Sequence, residues 1–96
     1  MIRGGVNIHP QLVEQILCQA PGVVSVAVAA KSHKILGQVP IAFVVKDQYF
    51  DELVFLSFCR DKLSSHEVPD EVRYLDQLPV NDWGKIIRAD LPIDDN

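Results

Sequence analysis

Lys85 is the residue of this chain best placed to do chemistry. It follows the turn formers Pro79, Asn81, Asp82 and Gly84 and precedes Ile86 and Ile87. Its side chain is therefore expected at the end of an exposed loop, free to deliver a single positive charge outward. A solvated lysine after an ordinary turn is the alternative that the residues alone leave open. Gly4-Gly5 is the second candidate, because a backbone without Cβ atoms lets another molecule approach closely, although the pair also suits a plain hairpin turn. Trp83 reads either as an anchor for a partner surface or as a cover for the core. His9, His33 and His66 fall in separate segments with no metal-ligand spacing, so each reads as a cap or surface residue and no metal site is expected. Ser64-Ser65-His66 is not a nucleophile arrangement, since neighbours on one loop do not present a base to a hydroxyl.

The elements that must position these residues alternate. Residues 1–8 read as an extended segment or short hairpin around Gly4-Gly5. Pro10 opens a helix at the position where its missing N–H costs nothing. Leu12, Val13, Ile16, Leu17 and Ala20 would form its apolar stripe, with Gln11, Glu14, Gln15 and Gln19 facing water, and Pro21-Gly22 would end it. Residues 23–30 are dense in valine and read as a strand. Residues 31–38 read as a polar loop and residues 39–46 as a second strand, with Pro40 at its beginning or on a free edge. Asp51 is the expected N-cap of a second helix that turns Phe55, Leu56, Cys59 and Leu63 inward. Ser64-Ser65 would close that helix and Val68-Pro69 would turn the chain. Residues 71–78 read as a third strand, residues 86–91 as one helical turn, and residues 94–96 as a frayed end. The expected fold is α+β: a small three-stranded sheet with two packed helices and a short N-terminal hairpin.

Composition narrows the function classes. With 96 residues and 48% hydrophobic content, the chain reads as one domain over 1–96, able to bury roughly 60 to 70% of its unfolded surface. A net charge of −4 with no basic stripe argues against nucleic acid or an anionic membrane as partner. Cys18 and Cys59 sit in apolar helical contexts, where cysteine behaves as a small buried hydrophobe, and they form no CxxC pair. A charged-then-apolar leader pattern and a bilayer-length apolar run are both missing from the sequence, and the expected location is cytoplasmic.

The run Leu78-Pro79-Val80-Asn81-Asp82-Trp83-Gly84-Lys85-Ile86-Ile87-Arg88-Ala89-Asp90-Leu91 resembles the C-terminal signature of the AMP-forming adenylating enzymes, which include acyl-CoA synthetases, peptide-synthetase adenylation domains and luciferases. Arg3-Gly4-Gly5-Val6-Asn7-Ile8-His9-Pro10 is similar to the segment that opens their small C-terminal domain, just after the interdomain hinge. The features between the two motifs follow the family order, so the resemblance spans nearly the whole chain. It implies that Lys85 contacts the carboxylate and phosphate during adenylate formation, and that Gly4 and Gly5 line the tunnel through which a pantetheine thiol arrives. ATP and Mg2+ would be bound mainly by the large N-terminal domain, which is not among these residues. That domain would be the partner in trans, with coenzyme A or the phosphopantetheine arm of an acyl carrier protein as acceptor. The opening motif resembles the acyl- and aryl-acid branch more than the peptide-synthetase one.

Three positions depart from the family pattern. Val6 stands where a polar residue is usual, Leu36 where an aromatic residue often is, and Glu67 where a lysine commonly precedes Val-Pro. The last two put coenzyme A in doubt against a carrier-protein arm. The reading is the C-terminal domain of an AMP-forming acyl- or aryl-acid synthetase, and the alternative is a non-catalytic interaction module that binds a synthetase or carrier protein.

Overall fold

The structure is a computed structural model and describes residues 2–93. Two short strands, β1 (Ile2–Arg3) and β2 (Val6–Asn7), form a hairpin, followed by helix α1 (Pro10–Leu17) and the long strands β3 (Val23–His33) and β4 (Gly37–Lys46). Helix α2 (Glu52–Lys62) then crosses to β5 (Glu71–Tyr74), and a short 3-10 turn spans Arg88–Asp90. One mixed sheet runs in the order β2-β1-β4-β3, with β5 also on β4. β4 pairs antiparallel with β3 and parallel with β5, as a helical crossover requires. The expected α+β class holds, and the N-terminal hairpin extends the three main strands into a five-stranded sheet rather than standing apart from it.

The sheet is covered on both faces. On one, Val26, Val28, Ala42 and Val44 meet Val13 and Leu17 of α1 and Phe55, Cys59 and Leu63 of α2. On the other, Ala27, Ala29, Ile41 and Phe43 meet Leu78, Ile86 and Leu91 of the C-terminal segment. Strand alternation divides the valine-rich run between the two faces. Each large aliphatic or aromatic side chain sealed this way contributes roughly 1.5–3 kcal/mol. Asp51 caps α2 as expected, its Oδ1 accepting from the N–H groups of Leu53 and Val54 at 2.9 and 3.1 Å. A cap of this kind is worth about 1 kcal/mol.

Several expectations are corrected. Helix α1 ends at Leu17, before Ala20, and its inward face is rotated: Leu12 is 52% exposed, whereas Glu14, expected in water, is only 9% exposed. The cause is at the edge of the sheet. Glu14 accepts the N–H of Val28 at 2.6 Å and pairs with the Arg88 guanidinium, whose Nε also reaches the Val28 carbonyl at 3.3 Å. Pairing of β3 with β4 persists to His33 opposite Gly37, so the loop expected over 31–38 shrinks to residues 34–36. β5 ends at Tyr74 rather than at residue 78.

Pro40 lies inside the central strand, fully buried. Its carbonyl accepts from Asp70 N–H at 2.8 Å, so its ring nitrogen faces the same flank. There the pairing with β1 stops at Gly37 and that with β5 starts at Ile41, and no strand residue opposite Pro40 needs a donor. Cys59 is buried as expected, but Cys18, at the C-cap of α1, is exposed. The expectation for residues 94–96 lies outside the described residues.

Lys31 and Arg73 both contact Glu71, at 3.1 and 2.6 Å, and hold its carboxyl below the usual range, Arg73 first. Arg73 also donates to the Pro92 carbonyl at 2.7 Å, fastening the C-terminal segment across this face.

Gly22 turns the chain from α1 into β3 with φ at +78°, and a Cβ there would stand 2.4 Å from the Phe50 Cα. Gly22→Ala combines left-handed strain with a backbone clash and is expected to cost about 3 kcal/mol or more in urea unfolding. Gly5→Ala, with φ at +86° and open space around its Cβ, should cost only about 1–2 kcal/mol. Equal losses at the two sites would contradict the close packing of Gly22 on Phe50.

Candidate functional site

Lys85 stands on a small hairpin closed by the Val80–Ile86 bridge. Asn81 builds it: its Oδ1 accepts the N–H groups of Trp83 at 2.9 Å and Lys85 at 3.0 Å, while its own N–H donates to the Lys85 carbonyl at 2.9 Å. An asparagine bonding the backbone two residues on is the expected turn chemistry, and Gly84 supplies the left-handed step with φ at +77°. Ile87 N–H reaches the Pro79 carbonyl at 2.9 Å and closes the base. Immediately beyond, Ile86 packs on the sheet and Arg88 is held by Glu14 and Val28. The backbone at Lys85 is thus fixed on both sides. Its side chain is exposed, and its ammonium has no hydrogen-bond or ion-pair partner among the described residues.

Trp83, on the same loop, is 90% exposed. The reading of Trp83 as a core cover is thereby excluded, which leaves an unburied aromatic two residues from the lysine.

Gly4 and Gly5 form the turn of the β1–β2 hairpin, with φ at +55° and +86°. Gly4 N–H donates to the Leu36 carbonyl at 2.9 Å, and a Cβ on Gly4 would touch the Leu36 side chain at 3.4 Å. Arg3 secures the hairpin's other flank by donating to the His66 and Val68 carbonyls at 3.3 and 3.0 Å, with Asp70 nearby at 3.8 Å. Gly5 faces open space. The structure does not bring the glycines and the lysine together. The glycines lie where the sheet meets the β3–β4 turn, and the lysine lies on the segment covering the face opposite the helices.

Two shallow grooves flank Arg88. One of about 390 Å³ is bounded by Val28, Ala29, Ala30, Gln38 and Ala89 among others, and one of about 320 Å³ by His9, Pro10, Gln11 and Arg88. Neither is lined by Lys85, Gly4 or Gly5; the candidate residues stand on turns, where Lys85 is exposed and Gly5 has open space beside it. A projecting cation acts only when another surface encloses it, because bulk water screens an exposed charge.

The remaining candidates take structural positions. His9 precedes α1 without a side-chain cap bond, and His66 is exposed on the loop after α2. The His33 Nδ1 accepts from the N–H groups of Ile35 and Leu36 at 3.2 and 3.0 Å. Glu67 caps the backbone N–H of Ser64 at 3.0 Å, which gives this departure from the family pattern a local role. Burial pushes the Cys59 thiol up to about 11. Partial desolvation of the sulfur and the nearby Glu14 carboxylate raise that of Cys18. Neither thiol is therefore tuned as a nucleophile. Among the described residues, no group of three or more His, Cys, Asp or Glu side chains could hold a metal ion, and no helix is long and apolar enough to cross a membrane. Sequence reasoning missed the Glu14–Arg88 pair. A glutamate flanked by inward apolar positions of α1 was its only signal.

Comparison with known proteins places the chain. The pattern of the AMP-binding enzyme C-terminal domain matches residues 12–85. The 2-succinylbenzoate--CoA ligase of Bacillus cytotoxicus is 41% identical over 91 residues, which cover 95% of this chain and 19% of that protein. The o-succinylbenzoate CoA synthetase of Bacillus subtilis, solved in complex with its acyl-adenylate intermediate, superposes with a TM-score of 0.89 at 31% identity, over 97% of this chain and 19% of that one. A fatty acyl CoA synthetase of Mycobacterium tuberculosis gives a TM-score of 0.85 at 31% identity, covering 93% of this chain and 18% of its own. The chain thus spans about a fifth of the length of the relatives it matches. On sequence pattern, identity and fold alike, it belongs to the family of AMP-binding enzyme C-terminal domains.

Proposed function

We propose that this chain is the C-terminal, lid-like part of an ATP-dependent, AMP-forming acid–thiol ligase of the acyl- or aryl-acid branch. It supplies Lys85 to adenylation and the Gly4-Gly5 turn to thioester formation, and it works with a large N-terminal adenylating part that is joined to it or acts in trans. The observation that carries this reading is Lys85 itself, a cation without a partner among the described residues, whose backbone is locked by Asn81 and clamped through Arg88.

The chemistry follows from charge. In the first step a carboxylate oxygen attacks the α-phosphorus of ATP and pyrophosphate leaves. Two anions must approach, and a preorganised ammonium in an enclosed site offsets their charge as it shifts to the leaving group. In the second step a thiol sulfur attacks the acyl carbon and AMP leaves. A glycine turn with open space beside it can border a narrow thiol path without blocking it. Because Lys85 and Gly4-Gly5 occupy different parts of the domain, one rigid body would present them in turn by rotating about a hinge ahead of Arg3, a motion of the lid type. ATP and its magnesium are assigned to the N-terminal part, which makes up the greater share of the relatives' length. Coenzyme A is the favoured acceptor over a carrier-protein arm, because the relatives are CoA ligases. A cytoplasmic location is part of the same proposal.

The test is a chimera in which this chain replaces the matching C-terminal fifth of the Bacillus cytotoxicus 2-succinylbenzoate--CoA ligase. In it, Lys85→Ala should lower 2-succinylbenzoate-dependent ATP–pyrophosphate exchange by on the order of a hundredfold to a thousandfold. Thioester formation from supplied acyl adenylate should change no more than a few-fold. Exchange retained within a few-fold would make Lys85 a surface lysine and favour the non-catalytic interaction module.

Gly5→Leu should do the reverse, because its side chain intrudes on the thiol path while the lysine hairpin is untouched. Thioester formation should fall at least tenfold with exchange preserved. Equal losses in both half-reactions would remove the tunnel assignment of Gly4 and Gly5.

A further inference from the structure

We propose that His33 is a positioning residue for the thiol-transfer step, acting through the β3–β4 turn on the Gly4-Gly5 hairpin. The inference rests on the reading of Gly4-Gly5 as the border of the thiol path. It adds a residue whose own side chain lies behind that border rather than on it.

The connection has three links. The Nδ1 of His33 accepts from Ile35 N–H at 3.2 Å and Leu36 N–H at 3.0 Å, so one ring nitrogen holds two consecutive amides of the turn. The carbonyl of Leu36, on the residue so fixed, accepts the N–H of Gly4 at 2.9 Å. The Leu36 side chain also stands 3.4 Å from where a Gly4 Cβ would be. Moving Leu36 therefore moves the surface against which Gly4 rests.

Other ties of the hairpin do not replace this one. Among the described residues β1 meets β4 at a single pair, Arg3 opposite Gly37, and Ile2 N–H reaches Gln38 Oε1 at 3.2 Å. Arg3 grips the loop after α2. All of these hold β1, whereas Leu36 alone among them contacts the glycine turn. In the turn itself, Ile35 is 87% exposed and Gly37 adopts a left-handed φ of +85°. A two-strand turn of this kind depends on local side-chain-to-backbone bonds, and a side-chain acceptor reaching the amides two and three residues on is the histidine counterpart of the Asx turn.

That geometry specifies the replacement. In asparagine the Oδ1 hangs on Cγ, as Nδ1 does in histidine, so His33→Asn keeps an acceptor at nearly the same place. His33→Ala removes it.

The chimera defined above tests this with two readouts. Hydrogen–deuterium exchange of the segment spanning residues 2–8 should be accelerated in His33→Ala and close to the parent in His33→Asn. The KM for coenzyme A in thioester formation should rise about tenfold in His33→Ala, with ATP–pyrophosphate exchange unchanged, and return to within a few-fold of the parent in His33→Asn. If Gly5→Leu separates the two half-reactions but His33→Ala leaves both exchange and KM at parental values, the inference is overturned and the thiol-path reading stands. A rise in KM that asparagine does not relieve also overturns it, because bulk or burial rather than the acceptor would then be responsible. If neither Gly5→Leu nor His33→Ala touches the thiol step, the reading of the glycines fails and this inference fails with it.

Discussion

The free edge of β3 is where this small domain is held together. Val28 points its N–H and its carbonyl away from β4, and both are met by side chains, the first by Glu14 of α1 and the second by Arg88 of the C-terminal segment. The carboxylate and the guanidinium also pair with one another. An exposed strand edge is a liability that proteins cover, and here the cover doubles as a joint between the two layers that sandwich the sheet. Helix α1 lies on one face and the segment bearing Lys85 on the other, so the clamp passes around the sheet rather than through it. Both charged groups are only partly exposed, and removing either leaves its partner and one backbone group of Val28 poorly satisfied, a loss of about 3 kcal/mol.

This joint explains how a projecting lysine can be placed with accuracy. The hairpin of residues 80–86 buries little of itself, and its tip carries an exposed tryptophan and an ammonium with no partner among the described residues. Its precision comes from below, from Asn81 within the loop, Ile86 on the sheet and Arg88 two residues further on. The glycine hairpin is supported differently, by Arg3 and by the turn that His33 organises, without contribution from the clamp. The two turns thus have separate supports on one sheet, which is what the proposed succession of two steps would require. The greater part of the relatives' length lies outside this chain.

Where local chemistry decides the structure, the sequence was a good guide. Asp51 as an N-cap, the valine-rich strand, the Asn81 and Gly84 turn and the Gly4-Gly5 hairpin all follow from residue type and short spacing, and the family is legible from the motif around Lys85 taken together with the Arg3–Pro10 segment and the order of features between them. It misled where a long-range partner overrides local pattern. Glu14 sits on α1 among apolar residues and polarity alone places it in water, yet an amide 14 residues on and a guanidinium 74 residues on draw it inward and turn Leu12 outward. The missing donor of Pro40 points to the beginning of a strand or a free edge rather than to the sheet interior. The gap between two short partner strands, which tolerates it, depends on pairings that no local pattern reveals. Ladder extension to His33 was hidden for the same reason, since Lys31, Ser32 and His33 are polar and resemble loop residues. The separation of Lys85 from Gly4-Gly5 was not legible as geometry, because it depends on which face of the sheet the last twenty residues cover.

The central claim is that Lys85 acts in adenylation because the Glu14–Val28–Arg88 clamp holds its hairpin in place. The most direct measurement is ATP–pyrophosphate exchange in the chimera across a double-mutant cycle of Glu14→Ala and Arg88→Ala. Each single change should lower exchange at least tenfold while thioester formation from supplied adenylate persists. The double change should be little worse than either alone, since both break the same clamp. Exchange at parental rates in all three variants, or losses that simply multiply, would contradict the account.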